Sequence, residues 1–199
     1  MTPAWIALSL VAVYLLAVFG VKTATQIRRT GDSGYRGIRG KKGSQHWWAG
    51  VILTFAFVVY GGGLVAGLAG MPPISPLEQT WARVLGVVLA IVGSISSLAS
   101  QWAMGANWRI GVDDTERTNL VTTGLFSVVR NPFFTAMLLT SAGVVLVNPN
   151  PVAVASWILL LAGIELQVRL VEEPHLHQQH GEPYSHYLAT VGRFVPGLH

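Results

Sequence analysis

Five charged side chains bracket one apolar hairpin, and they are the groups in this chain best placed to do chemistry. Arg130 stands before the hairpin; Glu165, Arg169, Glu172 and Glu173 stand at its far end. Residues 131–164 run for 34 positions without a charge, interrupted by Asn148, Pro149, Asn150 and Pro151, a turn no helix passes through intact. Arg130 and Arg169 are equally distant from the middle of that turn, so two antiparallel helices return them to the same depth. On a helix, Glu165, Arg169 and Glu173 fall at i, i+4 and i+8, with Glu172 at i+3 from Arg169, and all four share roughly one face. A Glu165–Arg169 pair alone reads as an ion-pair ladder at a helix end. Two adjacent carboxylates facing an arginine at the edge of an apolar span read as a binding site, since ionisable groups there are costly.

The elements that must position these groups belong to a bilayer. The chain is 51% hydrophobic and only 11% charged, against roughly 25% charged in a soluble domain. Apolar stretches at about 3–21, 47–70, 84–108, 132–147 and 152–171 predict an all-α, polytopic integral membrane protein. Its five transmembrane helices form a single domain over 1–199, with the helical hairpin at the C-terminal end. Met1 and Thr2 carry no positive charge and no small-x-small cleavage site follows, so 3–21 reads as a first span rather than a signal peptide. Residues 22–46 hold seven Lys/Arg against Asp32 alone, and their five glycines argue against a stable helix. Gly63 and Gly67 make a small-xxx-small pair that lets a neighbouring backbone approach. Ser94, Ser96, Ser97, Ser100 and Gln101 form a polar stripe expected to bond a neighbouring helix or its own backbone. Cysteine is absent, so thiolate chemistry and disulfides are excluded.

Twelve of the 13 Lys/Arg fall in 22–46, 109–130 and the tail from Arg169; only Arg83 lies elsewhere. With five spans those three segments share one face. The positive-inside rule makes that face cytoplasmic, with the N-terminus outside and the C-terminus and active site inside. Topology therefore accounts for the basic excess, and no base-stacking pattern accompanies it, which argues against nucleic acid as a partner.

The cytoplasmic segments carry a run of motifs: Leu120-Val121-Thr122-Thr123-Gly124-Leu125-Phe126, then Arg130-Asn131-Pro132-Phe133-Phe134, then Arg169 with Glu172-Glu173, then Gly181, Tyr184 and Tyr187, and last Gly192-Arg193-Phe194-Val195-Pro196. In this order the motifs resemble the isoprenylcysteine carboxyl methyltransferase family, which is allied to the phospholipid N-methyltransferases. The likeness covers about 107–196. It implies an integral membrane enzyme using S-adenosyl-L-methionine and releasing S-adenosyl-L-homocysteine. A cytosolic cofactor pocket and a lipophilic or lipidated substrate arriving from the lipid bilayer go with that. Carried over by position, Thr118, Asn119, Leu120, Val121, Gly124, Phe126, Arg130, Asn131, Pro132, Phe133, Phe134 and Tyr184 hold the cofactor with Glu172 and Glu173. Catalytic roles fall to Arg169, Glu172 and Glu173, with Arg169 addressing the substrate. Many members have His where this chain has Asn131, and Tyr at Phe126 and Phe134; the changes remove hydrogen-bond donors but keep the ring faces.

The physical chemistry of the residues agrees. Carboxylates suit the cofactor's ammonium and ribose hydroxyls, Phe126, Phe134 and Leu120 suit adenine, and Arg130 suits its carboxylate. Transfer from a sulfonium is an in-line displacement that asks the protein to position and desolvate the reactants, with no metal required. His175, His177, His180 and His186 offer a rival, because Glu172-x-x-His175 copies half of a di-iron motif; the second half is missing. Two other functions compete: an NADPH-dependent membrane reductase of the sterol-reductase type, and a non-enzymatic scaffold or transporter subunit. A transporter is expected to carry charges or broken helices near the midplane, whereas here the charges gather at one face.

Overall fold

The computed structural model describes residues 1–34, 41–105 and 119–198. Within them the regular structure is helical, apart from one isolated parallel bridge between Val129 and Gly192. The main helices are α1 (Pro3–Thr30), α2 (Gln45–Leu68), α3 (Thr80–Met104), α4 (Pro132–Val147), α5 (Pro151–His180) and α6 (Glu182–Thr190).

The span count differs from the sequence expectation. Four helices, α1, α2, α3 and α5, are long and apolar enough to cross a membrane, not five. The fifth, α4, has 16 residues, about 24 Å at 1.5 Å per residue, short of the ~30 Å hydrocarbon layer. It is squeezed between Pro132 and the Asn148–Pro149 turn, and neighbours sheathe it. Ten of its 16 residues are buried, whereas the long helices turn large apolar side chains outward.

The N-terminal segment also corrects the expectation. Residues 22–30 continue α1 as helix instead of opening a loop. The five glycines of that region all lie from Gly31 onward, so the nine residues before them meet no conformational obstacle. The helix stops at Gly31, whose φ of 74° places it in the left-handed region and whose N–H caps the Ile27 carbonyl at 2.8 Å.

The helices alternate in direction, and two clusters mark the ends of the bundle. At one end Ala7 of α1, Ala90 of α3, and Val144 and Val147 of α4 pack with Tyr60 and Leu64 of α2. The hairpin turn closes that end: Asn150 caps α5 through Ala153 N–H at 2.9 Å and donates to the Gly63 carbonyl at 3.0 Å. A Cβ on Gly63 would enter the Ala153 backbone, so the Gly63/Gly67 pair admits the start of α5 and the turn. At the other end Tyr14, Val18, Met137, Leu160, Ile164 and Val168 form a second cluster, joined by Phe19, Phe133 and Phe194. Exposed Trp81 and Trp102 lie 21 positions apart on α3, about 32 Å, the separation expected of two interfacial belts.

The polar stripe of α3 bonds inside the bundle. Ser97 Oγ and Tyr14 Oη lie 3.3 Å apart, and Ser94 and Ser100 bond their own backbone. Gln101 donates to the Val18 carbonyl at 3.0 Å. Val18 sits in a π-helical stretch, Leu16–Val21, whose wider turn frees a carbonyl for such a partner.

Candidate active site

The second end cluster is the floor beneath the charged residues, and proline builds the joint that carries them. Pro174 lies inside α5, where it lacks the N–H that would close the preceding turn. The helix answers with a π-helical stretch, Val168–Glu172, and resumes as α-helix at Glu173. In that wider turn the Glu172 carboxylate comes against the side chain of Gln167, five residues back. Glu172 is half-buried.

Glu173 points the other way, into two arginines. Its Oε1 accepts from Arg130 Nη2 at 3.0 Å and from Arg193 Nε at 2.7 Å, and its Oε2 accepts from Arg193 Nη2 at 2.8 Å. The Arg193 contact is a two-pronged fork, the geometry that makes guanidinium–carboxylate pairs directional. Arg193 Nη1 also reaches Glu165 Oε1 at 3.3 Å, and Arg169 Nε donates to the same oxygen at 2.5 Å. Three arginines and two glutamates thus form one connected ion network, with Glu172 beside it. Glu173 raises the Arg193 pKa above its ordinary value, so that guanidinium stays charged at every accessible pH.

Arg130 is buried, its side chain 4% exposed. Its Nη1 donates to the carbonyls of Leu188 and Val191, while its Nε is buried with no partner among the described residues. Arg169 differs, with a side chain 56% exposed. It faces outward from the rim of the network.

The C-terminal tail is strapped across this region. Arg130 N–H bonds the Gly192 carbonyl at 2.8 Å, and Asn131 donates to the Arg193 carbonyl from its backbone at 3.1 Å and its amide at 3.3 Å. Gly192 is required there, because a Cβ would strike the backbone of Val195 and Leu198. Thr135 Oγ1 donates to the Phe194 carbonyl at 3.1 Å. Tyr184 and Tyr187 of α6 lie beneath the strap, both buried. Tyr187 Oη donates to the Phe126 carbonyl at 2.5 Å, fixing the short 3-10 turn Gly124–Ser127. Burial pushes the Tyr187 hydroxyl up to about 12 and raises that of Tyr184, so both remain protonated donors at neutral pH.

The sequence-predicted residues separate into three groups. Arg130, Asn131, Glu173 and Tyr184 converge with Glu165 and Arg169 around the network. Phe126 and Pro132 are buried, while Phe133 and Phe134 are half-buried with ring centroids 5.8 Å apart. Asn119, Leu120, Val121 and Gly124 lie in the stretch leading to the 3-10 turn, Leu120 and Val121 half-buried. Thr118 lies outside the described residues, as do 107–109. Two participants had no role assigned from sequence: Arg193, quoted only as part of a terminal motif, and Gln167, which carries no motif signal. Among the described residues no three His, Cys, Asp or Glu side chains come together as a metal-holding group. His177 Nε2 instead lies 3.1 Å from Ser185 Oγ.

The arrangement suits a ligand carrying both charges. Glu172 is a half-buried carboxylate outside the ion network, Arg130 Nε is a buried donor with no acceptor among the described residues, and the Phe133–Phe134 ring pair follows Arg130 within one helical turn. The sequence pattern of the phospholipid methyltransferase family matches residues 81–183. That is more than half of the chain, and the protein belongs to this family. It is 28% identical over 121 residues to protein-S-isoprenylcysteine O-methyltransferase A of Arabidopsis thaliana, covering 60% of this chain and 61% of that protein. With the protein-S-isoprenylcysteine O-methyltransferase of Dictyostelium discoideum it shares 26% identity over 135 residues, covering 64% of this chain and 54% of that protein. The matched region thus spans about three-fifths or less of these relatives' lengths.

Proposed function

We propose that the protein is an S-adenosylmethionine-dependent membrane methyltransferase whose acceptor is a lipophile drawn from the bilayer. Family membership supports the reaction class. The observation that carries the site assignment is the ion network at the basic end of the bundle, with Glu172 left outside it. The orientation follows the basic residues, with the N-terminus outside and the network cytoplasmic.

When bound, the cofactor supplies an electrophilic methyl group on a sulfonium. Glu172 receives its ammonium or ribose hydroxyls, Arg130 Nε its carboxylate, and Phe133, Phe134 and Leu120 the adenine. Asn119, Val121, Gly124, Asn131, Pro132 and Tyr184 frame the same site, with Phe126 held beneath it; Thr118, outside the described residues, is assigned to the cofactor by the family resemblance alone. Glu173 serves by holding the two arginines. Arg169, exposed at the rim and tethered to Glu165, meets the acceptor's head group; a carboxylate suits its planar fork best, as in the prenylcysteine that the relatives' names specify. The charged rim and the apolar floor of Val18, Phe133 and Val168 orient the acceptor and keep water from the transferring methyl.

Two assays test the reading in detergent: calorimetric binding of S-adenosylhomocysteine against NADPH, and methyl transfer from S-adenosylmethionine to S-farnesylcysteine against phosphatidylethanolamine. S-adenosylhomocysteine binding and a farnesylcysteine product are expected. NADPH binding in its place overturns the class, and phosphatidylethanolamine methylation moves the acceptor from carboxylate to amine.

A further inference from the structure

Glu172 closes a π-helical turn that runs directly into a proline-containing α-helical turn. The π-helical stretch Val168–Glu172 is a wide turn, and Pro174 withholds a backbone donor just beyond it. Sequence-local forces therefore leave the rotation of Glu172 about the α5 axis weakly set. The position must be imposed from outside, and the neighbouring residue Glu173 is where outside contacts arrive.

Two guanidiniums supply them, from different parts of the chain. Arg130 comes from the start of α4 and is occupied by the carbonyls of Leu188 and Val191 as well. Arg193 comes from the tail, ten residues past the family match that ends at 183. Arg193 alone grips both oxygens of Glu173 and also bridges to Glu165, two helical turns earlier on the same face. It therefore spans the π-helical joint like a splint, with one contact on the α-helix before it and two on the α-helix after it. Its backbone is anchored independently by Asn131, and Gly192 leaves room for the strap to fold tightly there.

We infer that Arg193 is a positioning residue of the cofactor site, splinting the proline-weakened turn of α5 through Glu165 and Glu173 so that Glu172 faces the cofactor. The inference rests on the methyltransferase reading for the identity of the ligand, but the splint itself is a property of the apo protein. The chemistry requires arginine. Lysine keeps the charge but cannot hold both oxygens of Glu173 while touching Glu165.

The test uses full-length protein in detergent, with S-adenosylhomocysteine calorimetry and backbone hydrogen exchange of the ligand-free chain. Arg193→Lys is expected to weaken S-adenosylhomocysteine about tenfold, and Arg193→Gln more. Both variants should speed exchange at 168–176, remote in sequence from the mutation. A purely structural Arg193 would lower the melting temperature and loosen only the tail, leaving affinity and the 168–176 amides unchanged well below melting; that result overturns the inference. Arg193→Lys keeps the charge and most of the volume, so it guards against a variant that fails to fold. If the wild-type chain does not bind S-adenosylhomocysteine, the methyltransferase reading falls and the inference with it. Wild-type binding with unaltered Arg193 variants removes the inference alone.

Discussion

Glu172 and Glu173 are adjacent in sequence but opposite in role. Glu173 is saturated by Arg130 and Arg193, and removing either side of such an enclosed pair typically costs about 3–5 kcal/mol. Glu172 lies outside the network and is the carboxylate proposed to meet the cofactor. Glu172→Gln is expected to weaken S-adenosylhomocysteine by ~1.5–3 kcal/mol, the scale of a charged hydrogen bond, with little loss of stability. Unchanged calorimetric affinity would take Glu172 out of the site. Arg169 poses the harder question, because Glu165 already neutralises it at 2.5 Å. If that pair is all Arg169 does, Arg169→Met alone keeps turnover, because Glu165 retains Arg193 as a partner at 3.3 Å. The expected result is loss of methyl transfer to S-farnesylcysteine with cofactor affinity nearly intact. An active Arg169→Met variant would move Arg169 from the acceptor site to the scaffold.

At the scale of elements, the α3–α4 contact sets how closely the helices approach. Gly86, Ala90 and Gly93 face Ala136, Thr140 and Gly143, and an added Cβ at Gly143 would enter the backbone of Gly86 and Ala90. Close backbone approach of this kind supplies the packing that a bilayer cannot drive hydrophobically. Gly143→Leu should therefore destabilise the bundle by about 2 kcal/mol or more, read as a lowered melting midpoint in detergent. Gly61→Leu is the control, since no atom of the described residues lies within 4 Å of the added Cβ. Equal melting of the two variants would show that α3 and α4 do not pack as described. The π-helical stretches of α1 and α5 meet at the same end, where Val18 and Val168 share one cluster, so both irregular turns lie under the site.

For the whole molecule, α4 raises a question that its length alone does not answer. At 16 residues it is short for a span, yet it joins the cluster at one end of the bundle to the cluster at the other. Buried among its neighbours, it needs to match their packing rather than the lipid thickness. Every helix then reverses direction, and the end of α1 at Thr30, the start of α2 and the tail lie on one side. Cysteines introduced at Thr30 and Gly197 should label from the same face of sealed vesicles, and one at Pro76 from the opposite face. Labelling of Thr30 and Gly197 from different faces would refute the orientation.

Much of this was legible in the sequence because bilayer physics is local. Long uncharged runs must become helices, prolines and asparagines must break them, and basic residues must gather at one end. The hairpin, the common depth of Arg130 and Arg169, and the Glu165–Arg169 pair all follow from counting along one helix pair. Spacing did not reveal which carboxylate is spent and which is left over. The i+3 and i+4 arithmetic assumes an unbroken α-helix, and Pro174 converts the turn before it to π-helix, bringing Glu172 against Gln167 while Glu173 meets the arginines. Nor did the glycine count of 22–46 show that α1 continues to Thr30, since the glycines begin only afterwards. The role of Arg193 is tertiary: 20 residues separate it from Glu173 in the chain, and only the strap folded onto Arg130 and Asn131 brings the two together.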